Sequence, residues 1–149
     1  MAECWTIRRS DSCEYRADDE GSPDLPSFTT IAWRVWHLVG CYAGERLPRW
    51  LGVKLQPKGE APPVPATARE AIAVLGRAYA FWQELLQAIP VDAWSEPLGA
   101  ITGLYAESAK AGLVLHQLDE QIHHGAELGV LRDLYRAARP GFSTGRFLP

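Results

Sequence analysis

The longest uninterrupted feature of the sequence is residues 106–138, which contain no proline and in which leucines recur throughout. A proline inside a helix removes a backbone hydrogen bond and clashes with the preceding turn, so this stretch favours one long helix that ends before Pro140. Gly112, Gly125 and Gly129 each weaken such a helix by roughly 1 kcal/mol relative to alanine. Packing against other elements must therefore stabilise it.

Two further segments carry the spacing of helices. The first lies within residues 27–52, where apolar side chains recur at helical intervals and Ser27 or Thr29 is expected to cap the N-terminus. The second begins at Thr67, which forms a T-x-x-E capping box with Glu70. One apolar stripe of this second helix is predicted to consist of Ile72, Leu75, Tyr79, Trp82 and Leu86.

Segments with the alternation of β-strands are scarce, which places the chain in the all-α class, most simply as a bundle of antiparallel helices. Its 149 residues fit a single domain and suffice to bury a hydrophobic core. Within that domain we expect an irregular or weakly stranded arm at residues 1–27, a helical core at 28–139 and an irregular tail at 140–149.

Charge and composition argue against several classes of protein. The net charge is −3, and no run of lysine and arginine marks a face for nucleic acid or for an anionic membrane. No apolar run approaches the roughly 20 residues of a membrane span, and the N-terminal residues lack the apolar core of a signal peptide. The three cysteines match no zinc or redox spacing, so we expect a cytoplasmic protein with reduced thiols.

The segment HQLDEQIHHGAE packs three of the chain's four histidines together with several carboxylates. On a helix that advances about 100° per residue, five of these polar side chains lie within roughly 100° of arc. They are His116, Glu120, His123, His124 and Glu127. Apolar residues border this polar face on both sides, which indicates that it faces inward or lines a cleft. A metal site, a proton relay and a solvated helix surface all remain open at this point.

Glu120 and His124 are four residues apart, so both side chains point the same way and can bind one ion. Two protein ligands do not suffice for a zinc site. The remaining histidine, His37, lies in a helical segment among apolar residues, where an unpartnered imidazole is costly. A neighbouring helix can place it as the third ligand, although a core histidine bonded to a backbone carbonyl is the simpler interpretation of His37 alone.

Two segments of the chain together resemble the DinB-like superfamily. FTTIAWRVWHLVG carries a histidine after an aromatic-rich run, and LVLHQLDEQIHHGAELGVLRDLY carries the later pair of ligand positions. The resemblance implies an up-down-down-up four-helix bundle with a divalent metal, most often Zn²⁺ or Ni²⁺. In the branch similar to mycothiol-dependent maleylpyruvate isomerases the middle ligand is a glutamate, and this sequence matches that pattern with His37, Glu120 and His124 as metal ligands.

The resemblance implies a divalent-metal-dependent enzyme acting on a small-molecule substrate. It would be a thiol-dependent S-transferase or isomerase that uses a low-molecular-weight thiol, or a hydrolase, with the metal activating a thiolate or a water. His123 and Glu127 would take part from beyond the ligands, by orienting them or by moving protons. The alternative is a non-catalytic helical stress or interaction module with a structural metal or a polar core.

The resemblance also implies a departure from the usual bundle. Members of the superfamily usually carry a long helix before the segment seen here as CWTIRR, and this chain starts at that segment. The bundle is therefore expected to lack its usual first helix and to expose apolar surface, with Trp36, Leu75, Trp82 and Leu86 as candidates. A two-fold homodimer is the simplest arrangement that covers such a surface.

Overall fold

The computed structural model describes residues 4–18, 28–55 and 62–138, and most of the described residues are helical, which confirms the all-α class. The described residues hold no helix with both the length and the apolar character needed to cross a membrane. The helices are α1 (Ile31–Ala43), α2 (Arg46–Leu51), α3 (Ala68–Gln87) and α4 (Lys110–Ala137), with 3-10 helices at Val91–Ser95 and Ala100–Tyr105. Four short strands precede α1: β1 (Cys4–Trp5), β2 (Ile7–Arg9), β3 (Tyr15–Ala17) and β4 (Phe28–Thr29).

The strands form two small pairs, β1 parallel to β4 and β2 antiparallel to β3, and the described residues before Thr30 contain no helix. Asp18 fastens this strand region to α1. Its carboxylate accepts a hydrogen bond from the backbone N–H of Thr6 at 2.9 Å, and its backbone carbonyl accepts one from Nε1 of Trp33 at 3.0 Å. The predicted tail at 140–149 lies outside the described residues.

The N-cap of α1 is Thr30, whose hydroxyl oxygen accepts a hydrogen bond from the backbone N–H of Trp33 at 3.2 Å. The prediction of Thr29 as the cap is therefore wrong, because Thr29 belongs to β4, and Ser27 lies outside the described residues. The helix stops at Ala43 because the chain turns at Gly44, where a Cβ atom would lie only 2.8 Å from a backbone oxygen of α1.

The predicted capping box of α3 is confirmed. The backbone N–H of Glu70 donates to the Thr67 hydroxyl at 3.2 Å, and the Glu70 carboxylate accepts from the backbone N–H of Thr67 at 3.0 Å. The predicted apolar stripe is confirmed in part. Trp82 is buried, and Leu75 and Leu86 are partly buried against the core, but Ile72 is 71% exposed and Tyr79 is 44% exposed. Helix α3 is turned by roughly a quarter of its circumference from that prediction. The residues that it buries are Val74, Ala78, Phe81, Trp82 and Leu85.

The start of α4 is set by a closed loop rather than by the proline-free run alone. The backbone N–H of Lys110 donates to the carbonyl of Glu96 at 3.0 Å, and the Lys110 ammonium pairs with the Glu96 carboxylate at 2.8 Å. These bonds close a loop over residues 97–109, which therefore do not join α4. Helix α4 therefore begins four residues later than the sequence predicts, at Lys110.

The main core lies where α2, α3, the first 3-10 helix and the start of α4 meet, and Leu51, Trp82 and Leu85 are its most buried large side chains. A smaller cluster joins Val39 of α1 to Val74 and Ala78 of α3. Helix α1 lies against both α3 and α4. Its face toward α4 is where the polar residues of the two helices meet.

The homodimer stays a prediction, although the exposed apolar surface differs from the one expected. Trp82 is 1% exposed and belongs to the core, whereas Ile122 and Leu134 of α4 are 73% and 62% exposed. Large exposed apolar patches usually mark interaction sites. We expect light scattering or sedimentation to give a mass of about twice the 16.5 kDa of one chain. A single-chain mass at high protein concentration would contradict the dimer.

Candidate metal centre

Helices α1 and α4 bring His37, Glu120 and His124 together, as the sequence analysis expects. One donor atom from each of the three lies within 4.8 Å of the other two. Nε2 of His124 is 2.8 Å from Oε2 of Glu120, and Nε2 of His37 is 3.6 Å from that same oxygen. We call these three residues the inner set. Two donors come from adjacent turns of α4, and the third crosses from α1.

The ring of His37 is held by aromatic neighbours. It stacks on Trp33 with a centroid distance of 5.2 Å and meets the ring of His124 edge-on at 4.6 Å. Trp33 is 4% exposed and is tied through its Nε1 to the backbone of Asp18. The strand region therefore helps to fix the imidazole on α1, because it anchors the indole against which that imidazole stacks.

His124 is 9% exposed and bonds to two carboxylates at once. Its Nε2 is 2.8 Å from Glu120, and its Nδ1 is 2.7 Å from Oε2 of Glu127. An ionised carboxylate only accepts hydrogen bonds, and a neutral imidazole donates only one. Donation to both carboxylates therefore requires a protonated ring. Alternatively, a cation lies between Nε2 and Glu120. The ring is then neutral, and its one N–H, at Nδ1, donates a hydrogen bond to Glu127.

Arg34 also belongs to this cluster, although it was not predicted from the sequence. Its side chain is 11% exposed, and its Nε lies 2.8 Å from Oε2 of Glu127. The N–H bond is not aligned for a hydrogen bond, so the contact is an ion pair. One feature of the sequence could have indicated it. Arg34 lies three residues before His37, so both side chains lie on the same face of the helix.

Both carboxylates favour their ionised form. Burial raises the pKa of Glu120, but the hydrogen bond and positive charge of His124 outweigh it, and the pKa lies below its ordinary value. Burial also raises the pKa of Glu127, and there the hydrogen bond from His124 and the charge of Arg34 outweigh it, so that pKa is lowered too. At neutral pH both groups can therefore act as anionic ligands or acceptors.

A second group of possible ligands overlaps the first. It consists of His123, His124 and Glu127, and we call it the outer set. His123 is exposed, with its Nε2 3.3 Å from Oε1 of Glu127. His116 is similarly exposed, with its Nε2 3.9 Å from Oε1 of Glu120, and lies at the edge of the cluster. The two sets share His124, so a single ion cannot use both in full.

The inner set fits a divalent transition metal. Imidazole nitrogens and a carboxylate oxygen are ligands that zinc accepts, at about 2.0–2.2 Å from the ion. Ligands at that distance around a tetrahedral ion lie roughly 3.3–3.5 Å from one another. The donor separations of 2.8 and 3.6 Å bracket this value. The inner set therefore fits such an ion by the type of its donors and by their convergence.

A comparison with models of protein families finds one that matches residues 13–128, described as the DinB superfamily. The match covers more than three quarters of the chain and includes both ligand sets as well as Arg34. No curated protein matches the chain. No solved structure matches it either.

Proposed function

The chain belongs to the DinB superfamily, and from that premise we propose that it is a divalent-metal-dependent enzyme whose ion is held by the inner set. The convergence of donor atoms from two helices, His37 on one and Glu120 and His124 on the other, carries the proposal. These side chains are partly or largely buried, and aromatic and carboxylate neighbours hold them in place. Pre-oriented ligands of this kind are typical of functional metal sites.

The number of ligands favours catalysis over a purely structural ion. Among the described residues, the inner set supplies three protein donors, and a four-coordinate ion with three protein ligands keeps one position for water or substrate. An ion held there would supply Lewis-acid chemistry that activates a water or a thiol. Two neutral imidazoles and one carboxylate offset only one of its two charges, so the site would attract an anionic group such as a thiolate.

We infer that the reaction belongs to one of two classes, a thiol-dependent S-transfer or isomerisation, or a hydrolysis. The thiol-dependent class is supported by Glu120 in the middle ligand position, the pattern of the branch similar to mycothiol-dependent maleylpyruvate isomerases. Glu127 would hold the ring of His124, and exposed His123 would exchange protons with solvent at the rim. Zn²⁺ and Ni²⁺ are the ions proposed.

A non-catalytic helical module is the second candidate, and one observation favours it. Both ring nitrogens of His124 bond to carboxylates of α4, so the cluster forms a polar core from its own groups. A polar core of this kind can specify how α1 and α4 pack without taking part in a reaction.

Metal uptake separates the two candidates. The purified chain is stripped with a chelator, titrated separately with Zn²⁺ and Ni²⁺, freed of unbound ion and subjected to elemental analysis. We expect about one ion per chain, and its loss in His37→Ala, because three ligands fall to two. Retention of no ion by the unaltered chain would contradict the metalloenzyme and leave the polar-core module.

The thiol dependence has a separate test. Cobalt-loaded protein is titrated with a low-molecular-weight thiol while its near-ultraviolet absorption is followed. A new sulfur-to-cobalt charge-transfer band is the expected result, since an open position on the ion would accept a thiolate. Absence of the band in protein that holds cobalt would contradict the thiol-dependent class and leave hydrolysis.

A further inference from the structure

His124 belongs to both ligand sets, so its position alone does not determine which of the two sets binds the ion. The inner set uses its Nε2 with Glu120 and His37, whereas the outer set uses the same histidine with Glu127 and His123. Each set contains two imidazoles and one carboxylate, so the type of ligand does not discriminate between them. A further group must do so if the ion binds at one place.

We propose that Arg34 is the positioning residue that keeps the ion in the inner set, by holding Glu127 away from metal binding. This inference rests on the proposed metal site. Arg34 is not a ligand of the ion. It acts through Glu127, and Glu127 acts through the ring of His124.

The contacts of Glu127 support this role. Its Oε2 is shared between the Arg34 guanidinium at 2.8 Å and Nδ1 of His124 at 2.7 Å. The guanidinium beside this oxygen repels a second cation, and the oxygen also bonds to the ring of His124. The positive charge of Arg34 also neutralises the carboxylate, so the outer set offers an ion far less attraction than an unpaired glutamate would. Among the residues that the structure describes, Glu120 has no arginine or lysine partner and pairs with the imidazoles of His37, His116 and His124.

The same contacts fix the orientation of the shared histidine. With Glu127 anchored by Arg34, Nδ1 of His124 is directed at a carboxylate, and Nε2 is left pointing at Glu120 and toward His37. Carboxylates that bind the second nitrogen of a metal-ligating histidine are common, and their loss typically lowers metal affinity by about 10–100-fold. Arg34 extends that arrangement by one further contact, from α1.

Arg34 is itself firmly placed. Its guanidinium lies 5.1 Å above the ring of Trp33, and its Nη2 donates to the hydroxyl of Thr29 at 3.4 Å. The residue is 9% exposed, which is unusual for an arginine unless its charge is paired. A buried charge on α1 that meets a carboxylate on α4 is therefore suited to hold one arrangement of the cluster.

The experiment determines which histidine Zn²⁺ binding depends on. Zn²⁺ affinity is measured by competition with a chromophoric chelator, with His37→Ala and His123→Ala placed in the unaltered chain and in Arg34→Met. In the unaltered chain, His37→Ala is expected to weaken binding by about 100-fold or more and His123→Ala by less than about threefold. In Arg34→Met the dependence should move to the outer set, so that His123→Ala weakens binding at least about tenfold and His37→Ala has a smaller effect than before.

A reversal experiment separates positioning from a structural effect. Glu127→Gln added to Arg34→Met removes the carboxylate of the outer set, so the ion should again require His37. Arg34→Lys keeps the charge and should retain the histidine dependence of the unaltered chain. The matched control is Arg132→Met, which removes an exposed arginine whose partner is Asp133, and it should change neither affinity nor dependence.

The outcomes distinguish this inference from the proposed function. If the unaltered chain binds no Zn²⁺, the metal site itself is wrong. If the chain binds Zn²⁺ through His37 and Arg34→Met leaves that dependence unchanged, the metal site stands and the role of Arg34 is wrong. Should Arg34→Met fail to fold, as judged by its circular dichroism, Arg34→Gln takes its place, with the same expected change to His123 dependence. An unchanged dependence on His37 in Arg34→Gln would overturn the inference, and so would dependence on His123 in Glu127→Gln, which lacks the carboxylate of the outer set.

Discussion

Replacing His124 with alanine is expected to abolish metal retention, whereas replacing the adjacent His123 should leave most of it. His124 belongs to both ligand sets, so its loss leaves either set with two donors, too few for a stable zinc site. It is also the histidine four residues after Glu120, with its Nε2 at 2.8 Å from that carboxylate. His123 points beside this position and is largely exposed.

His123→Ala is the matched control for His124→Ala, because the two variants remove the same side chain from neighbouring positions of one helix. Both proteins are loaded with Zn²⁺, passed over a desalting column and subjected to elemental analysis, and circular dichroism checks that each retains its helices. We expect an affinity loss of at least about 100-fold for His124→Ala. Metal retained by His124→Ala and lost by His123→Ala would mean that the ligands on α4 are shifted by one residue.

The place of the candidate site on α4 could be predicted because it depends on helix geometry alone. A spacing of four residues puts Glu120 and His124 on one face whatever the rest of the chain does. His37 follows from the family resemblance, since no spacing links residues on different helices. Arg34 could not be found in this way. An arginine in a helix is usually solvated, and only the packing of α1 against α4 reveals that this one is buried against Glu127.

The fold class could also be predicted, but the buried face of α3 could not. Apolar residues lie around more than half of that helix, so the sequence contains two apolar stripes a quarter turn apart. The predicted stripe holds the larger residues, among them Ile72 and Tyr79. The structure buries most fully the stripe with Val74 and Ala78, which pack against Val39 of α1. Which stripe is buried depends on the neighbour, which periodicity does not specify.

Leu85→Ala is expected to destabilise the protein by about 2–5 kcal/mol, because it removes a fully buried side chain and leaves a cavity in the main core. Leu85 is 0% exposed and packs in the cluster that contains Trp82 and Leu113. A protein of this size is stable by only about 5–15 kcal/mol, so the loss is a large part of the total. Urea denaturation followed by tryptophan fluorescence measures the change.

Leu104→Ala is the matched control, since it makes the same chemical change at a leucine that is 100% exposed. Its free energy of unfolding should stay within about 0.5 kcal/mol of the unaltered chain, because no buried area or packing is lost. The two substitutions remove the same atoms, so the difference between them reports mainly on burial. Equal losses for the two variants would mean that α3 does not bury the face of Leu85, and the stripe of Ile72 and Tyr79 would then have to be reconsidered as the one that faces the core.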